Sequence, residues 1–263
     1  MNIVVWRTLS YLVFSLAAID LTAADGPERW FTTVLPALYY SPACWSSVEL
    51  QNLGVRPVIV EIEAHGGNGA LVPLVGQRDM TVRMEPGDRA KYRLQIEGET
   101  TSAWIKVREK VPSPSLSPLV AVNGQTECLV GNELRTAARE AAYPTRNPWF
   151  SDDVPATRRS EVISLINTSE QTAVASACYS SGSFFTIPAE NHPPEFVPLC
   201  STAFDVQVPP FGSRDFPLDR GGNSHFSLKT RGDTIVLQML RLFEPAVKLY
   251  SVDSTITFGS EAR

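Results

Sequence analysis

Residues 47–67 read SVELQNLGVRPVIVEIEAHGG, and residues 161–182 read EVISLINTSEQTAVASACYSSG. With Asn52 set on Asn167, Val48 falls on Ile163, Leu50 on Leu165, Val58 on Ala173 and Gly67 on Gly182. Each stretch is a short apolar strand closed by Asn, then turn-forming residues, then a second strand. In PVIVEIEA, Val58, Val60 and Ile62 alternate with Ile59, Glu61 and Glu63. That two-residue period is the mark of a half-buried strand. The stretch therefore reads as β structure, and its second appearance reads as a repeat.

Three more blocks extend the match in the same order. LVPLV faces FVPLC, setting Val72, Pro73 and Leu74 on Val197, Pro198 and Leu199. MEPGDR faces VPPFGSR, with Pro86 on Pro210 and Gly87 on Gly212. YRLQIEGET faces FSLKTRGDT, with Tyr92 on Phe226, Leu94 on Leu228, Gly98 on Gly232 and Thr100 on Thr234. A Trp-Phe pair opens each unit, Trp30-Phe31 and Trp149-Phe150. These matches place a boundary near residue 140, giving units over 25–140 and 141–263. The second unit then carries insertions at about 183–194 and 213–225, between expected strands. NELRTAAREAAYP, just before the boundary, has local helix character and predicts a short connecting helix ended by Pro144.

Short strands at about 8–12-residue spacing, broken by Pro and Gly, are the pattern of a β-sandwich. The run VELQNLGVRPVIVEIEA, followed by a strand, Pro-Gly and a closing strand, resembles the immunoglobulin-like modules common in exported bacterial proteins. In them an N-x-[GS] turn joins neighbouring strands and a Pro-Gly precedes a later one. The resemblance implies an all-β fold of two tandem immunoglobulin-like sandwiches. It also implies a cell-surface habitat and a role in binding or spacing rather than catalysis.

The chain opens MNIVVWRTLSYLVFSLAAIDLTAADG, in which Arg7 precedes an apolar run from Tyr11 to Ile19 and small residues follow at Thr22, Ala23 and Ala24. This is the layout of a secretory signal peptide covering residues 1–24. No later run approaches the ~20 apolar residues needed to cross a bilayer, so the exported protein is not expected to span a membrane. The 263 residues carry a formal charge of −5 and no basic block, which makes nucleic acid an unsuitable partner. Cys44, Cys128, Cys178 and Cys200 all lie in the exported part, and their even number points to disulfides. Four cysteines allow three pairings. The repeat favours Cys178 with Cys200, flanking the first insertion, and Cys44 with Cys128, near the first and last strands of one unit. Each bridge then stays within a unit.

Chemical candidates are few. HGGNG at 65–69 raises an oxyanion-hole loop, but its counterpart YSSGS keeps only one glycine, and no G-x-S-x-G elbow accompanies it. It reads as a hairpin turn. His65, His192 and His225 lack the i, i+4 spacing of a helical metal site, and no cofactor is expected. Ser224, His225 and Asp219 are the residues from which a loop-borne triad could assemble, although strand neighbours point to opposite sides. Arg231-Gly232-Asp233 aligns with Glu-Gly-Glu of the first unit and reads as a charged turn, and Asn167-Thr168-Ser169 reads as a strand end before a glycosylation sequon. Phe184, Phe185, Trp149 and Phe150 are candidate binding-surface aromatics, with burial the commoner fate of such residues. The expectation is a non-enzymatic exported protein for binding, adhesion or spacing, with an envelope protein or polysaccharide as partner. A periplasmic chaperone or assembly factor with two such domains is the alternative. A hydrolase with a loop-borne site comes third.

Overall fold

The structure, a computed structural model, describes residues 29–39, 43–76, 79–94, 102–111, 117–154, 161–180, 184–187, 195–198, 200, 202–218, 224–232, 234–247, 249–252 and 259. The expected signal peptide lies outside these residues. Among them the chain is β throughout apart from one short 3-10 turn, and no helix is long and apolar enough to cross a membrane.

The first half contributes β1 (Arg29–Tyr39), β2 (Cys44–Asn52), β3 (Val58–Gly66), β4 (Leu71–Val72), β5 (Leu74–Val75), β6 (Thr81–Met84), β7 (Arg89–Leu94), β8 (Ser102–Val111), β9 (Val120–Val130) and β10 (Glu133–Arg139). One sheet runs β1-β8-β3-β4 with β6 also on β3, and the other runs β10-β9-β2-β7-β5. The second half contributes β11 (Trp149–Val154), β12 (Glu161–Asn167), β13 (Ala173–Ser180), β14 (Phe184–Ile187), β15 (Glu195–Pro198), β16 (Thr202–Val208), β17 (Ser213–Pro217), β18 (Ser224–Arg231), β19 (Ile235–Glu244) and β20 (Leu249–Val252). Its sheets run β11-β18-β13-β16 and β17-β12-β19-β20, with β14 and β15 forming a separate hairpin. All the pairings are antiparallel.

The two halves share one strand order, with β1, β8, β3 and β6 answering to β11, β18, β13 and β16, and β10, β9, β2 and β7 to β20, β19, β12 and β17. This architecture is compatible with immunoglobulin-like sandwiches. Alternation supplies each core. Val58, Val60 and Ile62 of β3 are buried beside Val48, Leu50 and Ile105, and Ala173, Ala175 and Ala177 of β13 beside Ile163, Leu165 and Phe226. Burying such rows removes apolar area from water, at roughly 25 cal/mol per Å².

The Asn match is structural to the atom. Asn52 Nδ2 donates to the carbonyls of Arg56 and Met84, and its Oδ1 accepts from the Gly54 N–H. Asn167 Nδ2 donates to Gln171 and Val208, and its Oδ1 accepts from the Ser169 N–H. Each side chain thus closes the turn after its strand and ties it to the strand alongside.

Four expectations need correction. Tyr92 lies in β7 and pairs with Val48, so its counterpart is Phe216, which pairs with Ile163, and not Phe226 of β18. Gly98 and Thr100 lie outside the described residues. Val197 and Pro198 belong to β15, which pairs with β14, whereas Val72 pairs with Ala64 of β3. The expected connecting helix is absent over 133–139, where β10 forms a hairpin with β9 and buries Ala137 and Arg139. There, pairing along seven residues overrides a weak helix propensity. Finally, Ser213–Pro217 is a sheet strand against β12 rather than part of an insertion. The insertion at 183–194 does contain extra structure, since β14 starts within it.

Candidate functional site

The HGGNG stretch forms the hairpin between β3 and β4. Ala64 pairs with Val72 and His65 with Leu71, while the Gly66 N–H donates to the Ala70 carbonyl and the Gly69 N–H to the Gly66 carbonyl. The left-handed residue is Gly69, at φ 86°, rather than Gly67. Two constraints hold it as Gly: that backbone conformation, and a neighbour. A Cβ at Gly69 would run into the carbonyl oxygen of Pro210, far away in sequence. The Gly67 carbonyl accepts from the Ser213 N–H at 2.9 Å. The turn is a dock for the second half.

His65 forms the middle of that dock. Its ring lies between Trp104, with centroids 4.8 Å apart, and Phe211, 4.9 Å away, and both neighbours are near-parallel to it. Nδ1 sits 3.3 Å from the Gly69 carbonyl and Nε2 sits 3.2 Å from Glu63 Oε2, so both nitrogens face acceptor oxygens. The Trp104 indole N–H donates to the Phe211 carbonyl at 2.9 Å. Lys106 Nζ lies 4.6 Å from the Phe211 ring centre and 3.6 Å from Glu63 Oε2, completing the surround. Beneath lies an apolar cluster drawn from both halves: Val34 and Trp104 with Ile166 and Val236. His65 is 3% exposed, which leaves it a packing role and no approach for a substrate.

The segment between the halves is bound on both sides. Ala142 exchanges two backbone hydrogen bonds with Val34 of β1, and Thr145 exchanges two with Ile235 of β19. The Asn147 N–H donates to the Gly232 carbonyl, and the Gly232 N–H returns to Asn147 Oδ1. A second contact buries Leu249 against Ala137 and the Cys44–Cys128 bridge, and Arg139 Nη1 donates to the Tyr250 carbonyl.

The remaining candidates are scattered. The structure contains the bridges Cys44–Cys128 and Cys178–Cys200, each inside one half. Phe150 is buried in the second core against Phe226, Trp149 is about half exposed on β11, and Phe184 and Phe185 pair along β14 with Pro198 and Val197. These four do not form one described surface, and Phe150 offers none. His225 Nε2 lies 3.0 Å from Ser151 Oγ on the open face of β11 and β18, while Asp219 and His192 fall outside the described residues. Among the described residues no three metal-ligating side chains cluster. Gly232 sits in a turn at φ 149°, and Asn167 is wholly buried, so the sequon is not presented as a free motif. Asp233 lies outside the described residues.

One titratable group stands apart. Glu109 of β8 points inward, 2% exposed, and accepts backbone N–H bonds from Leu119 and Val120. Burial lifts its pKa to about 7, against the opposing pull of those donors.

The junction residues Trp104 and Phe211 escape a reading of the sequence. A signal for Phe211 exists: the pairing registers set Met84–Arg89 on Val208–Ser213 without a gap, so Phe211 stands in the place of Gly87 and shares its left-handed backbone, at φ 54° against 83°. Comparison with protein-family models, with curated proteins and with solved structures finds no match.

Proposed function

We propose that this protein is an exported, non-enzymatic envelope module whose two halves are separate sandwich domains, 25–140 and 141–263, locked together as a rigid spacer that displays a binding face. One observation carries this reading. The segment 140–148, where a flexible hinge would lie, is hydrogen-bonded at Ala142 to the first half and at Thr145 and Asn147 to the second. Inter-domain motion is the default unless the interface is large and apolar, and this one is closed by a His-Trp-Phe stack and an apolar cluster. A chaperone-type cleft with basic anchors would need open space between the domains, and the stack occupies that space, which weighs against the assembly-factor reading. The two disulfides fit a non-reducing compartment, periplasmic or extracellular. The test is cell fractionation with intact-mass measurement. The reading expects envelope material lacking about its first 24 residues, with four oxidised cysteines. Cytoplasmic protein retaining Met1 and free thiols overturns it.

A further inference from the structure

We infer that the end of the first half remote from the junction seats in a lipid surface through Leu53 and Val55. The inference rests on the spacer reading and names what one end of the spacer stands on. β3 runs from this end, at Val58, to the junction at His65. Here the chain crosses between the two sheets of the half: β2 leads into β3 through residues 53–57, and β6 into β7 through 85–88. The turns are knitted together. The Asn52 N–H donates to the Asp88 carbonyl, the Gly87 N–H to the Asn52 carbonyl, and the Leu53 N–H to the Leu119 carbonyl. On this support Val55 is 90% exposed and Leu53 65%, so two aliphatic side chains are held out in water at the extremity of the sandwich. Their backbone is ordered in advance, which lowers the entropy a contact there would cost.

The repeat shows that the fold does not require these two residues. Setting Asn52 on Asn167 puts Leu53 on Thr168 and Val55 on Glu170, and the second turn closes in the same way with polar residues. The same end of the second half is buried, with Phe211, Ile166 and Val236 seated against the first half. Registers put Gly87, Gln51 and Ala121 in those three places, so the first half lacks the side chains with which one module seats on another here. A protein contact of another kind would bury roughly 800 Å² per partner, far more than two side chains at a point supply. A bilayer takes in protruding apolar side chains without a matching surface. Trp30 follows at a suitable depth. It lies level with Ile59 across β8, since both pair with Lys110, and Ile59 is four residues, at most about 13 Å, behind Val55. With the aliphatic point sunk about 5–10 Å, the partly exposed indole meets the headgroup layer, where tryptophan is favoured. The acids of the two turns are engaged, Glu85 with Arg83 at 2.9 Å and Asp88 with the Glu85 N–H at 2.8 Å. The expected signal peptide joins at this end too. Ile19, the last residue of its apolar run, is ten residues from Arg29, which keeps the tip within about 35 Å of the membrane during export.

Flotation of the oxidised protein, recovered from the envelope and weighed by intact mass, with phosphatidylethanolamine–phosphatidylglycerol vesicles tests the inference. The protein should float with the vesicles and go on doing so in added salt, because apolar burial rather than charge holds it. Leu53→Ser with Val55→Ser should lower the partition coefficient about tenfold or more. Leu134→Ser, which removes a similarly exposed leucine from β10, should leave it unaltered. If the double variant fails to fold, brominated lipid still probes the native protein: it should quench tryptophan emission, and Trp30→Phe should remove that quenching. No flotation, flotation abolished by salt, a double variant that floats like the native protein, or quenching that survives Trp30→Phe overturns the inference. A tip-dependent complex with another protein in place of flotation overturns it as well and assigns this end to a protein partner. Retained Met1 with free thiols sinks the exported-spacer reading; the tip stands or falls by the loss in the double variant alone.

Discussion

Two asparagines do the same work in the two halves, and their chemistry sets what replacing them costs. Asn167 is wholly buried, and its amide supplies hydrogen bonds to the Gln171, Val208 and Pro209 carbonyls while its oxygen accepts from Ser169. Ala leaves several backbone groups without partners, at about 1–3 kcal/mol for each one buried. Asn167→Ala should therefore destabilise the protein by about 3 kcal/mol, and Asn52→Ala by a similar amount, measured by urea unfolding. An Asp in either place would keep the acceptor and lose the donors, so it should not rescue. Glu109 makes a second residue-scale prediction, with a definite sign. Its folded pKa of about 7 lies above the ordinary carboxylate value of 4.5, so the native state holds this proton more tightly than the unfolded chain. Its contribution is complete below pH 4.5 and is lost as pH rises through 7. That difference corresponds to roughly 3 kcal/mol lost between pH 5 and pH 9. Glu109→Gln should remove that slope from stability measured across the same range, and an unchanged slope would assign it to other groups.

At the scale of strands and hairpins, alternation and turn chemistry carry most of what is legible. The all-β class, the Asn-closed strand ends and the match of Pro86 with Pro210 hold because each rests on a local rule that the fold obeys, whereas Gly87 falls on Phe211 and not on Gly212. The mismatch of Tyr92 with Phe226 shows where those rules stop. Any inward strand of period two resembles any other, so YRL fits FSL as well as it fits DFPL, and only pairing with β2 or β12 tells β7 from β8. β10 escapes for a different reason: its Ala, Arg and Glu favour helix locally, while its partner β9 decides the outcome from outside the segment. The junction is least legible, since Trp104 and Phe211 meet over more than a hundred residues of chain. The disulfides belong to this scale too. Cys44 and Cys128 face each other directly on β2 and β9, closing a separation of 84 residues, against 22 for Cys178 and Cys200. Longer loops lose more entropy in the unfolded chain, so the paired Ser variant of the first bridge should cost about 4–5 kcal/mol and that of the second about 3. Thermal unfolding of the two double variants checks the order, and an inverted order would mean that local strain outweighs loop closure.

For the whole molecule the question is whether two sandwiches behave as one body, and the plug at Phe211 decides it. Its ring covers His65, its carbonyl accepts the Trp104 indole, and its backbone sits at φ 54°, where only Gly is at ease. The side chain is therefore held in place by the contact it makes, at a backbone expense of about 1 kcal/mol. Phe211→Ala removes the ring and keeps the expense; Phe211→Gly removes both. The two variants should lose the same coupling between halves, about 2 kcal/mol for a partly buried ring, but the Gly form should recover about 1 kcal/mol in the stability of the second half. Differential calorimetry should then resolve two unfolding transitions where the native protein gives one, the later transition of the Gly variant lying a few degrees above that of the Ala variant. Small-angle scattering should report a single compact arrangement for the native protein and a broader set of orientations for both variants. Gly69→Ala attacks the same contact from the other side, by driving a methyl into the Pro210 carbonyl, and should give the same split melt. If all three variants still melt in one transition with native scattering, the stack is ornamental. The rigidity would then reside in the 140–148 segment, whose Ala142 and Thr145 ladders bind one half each.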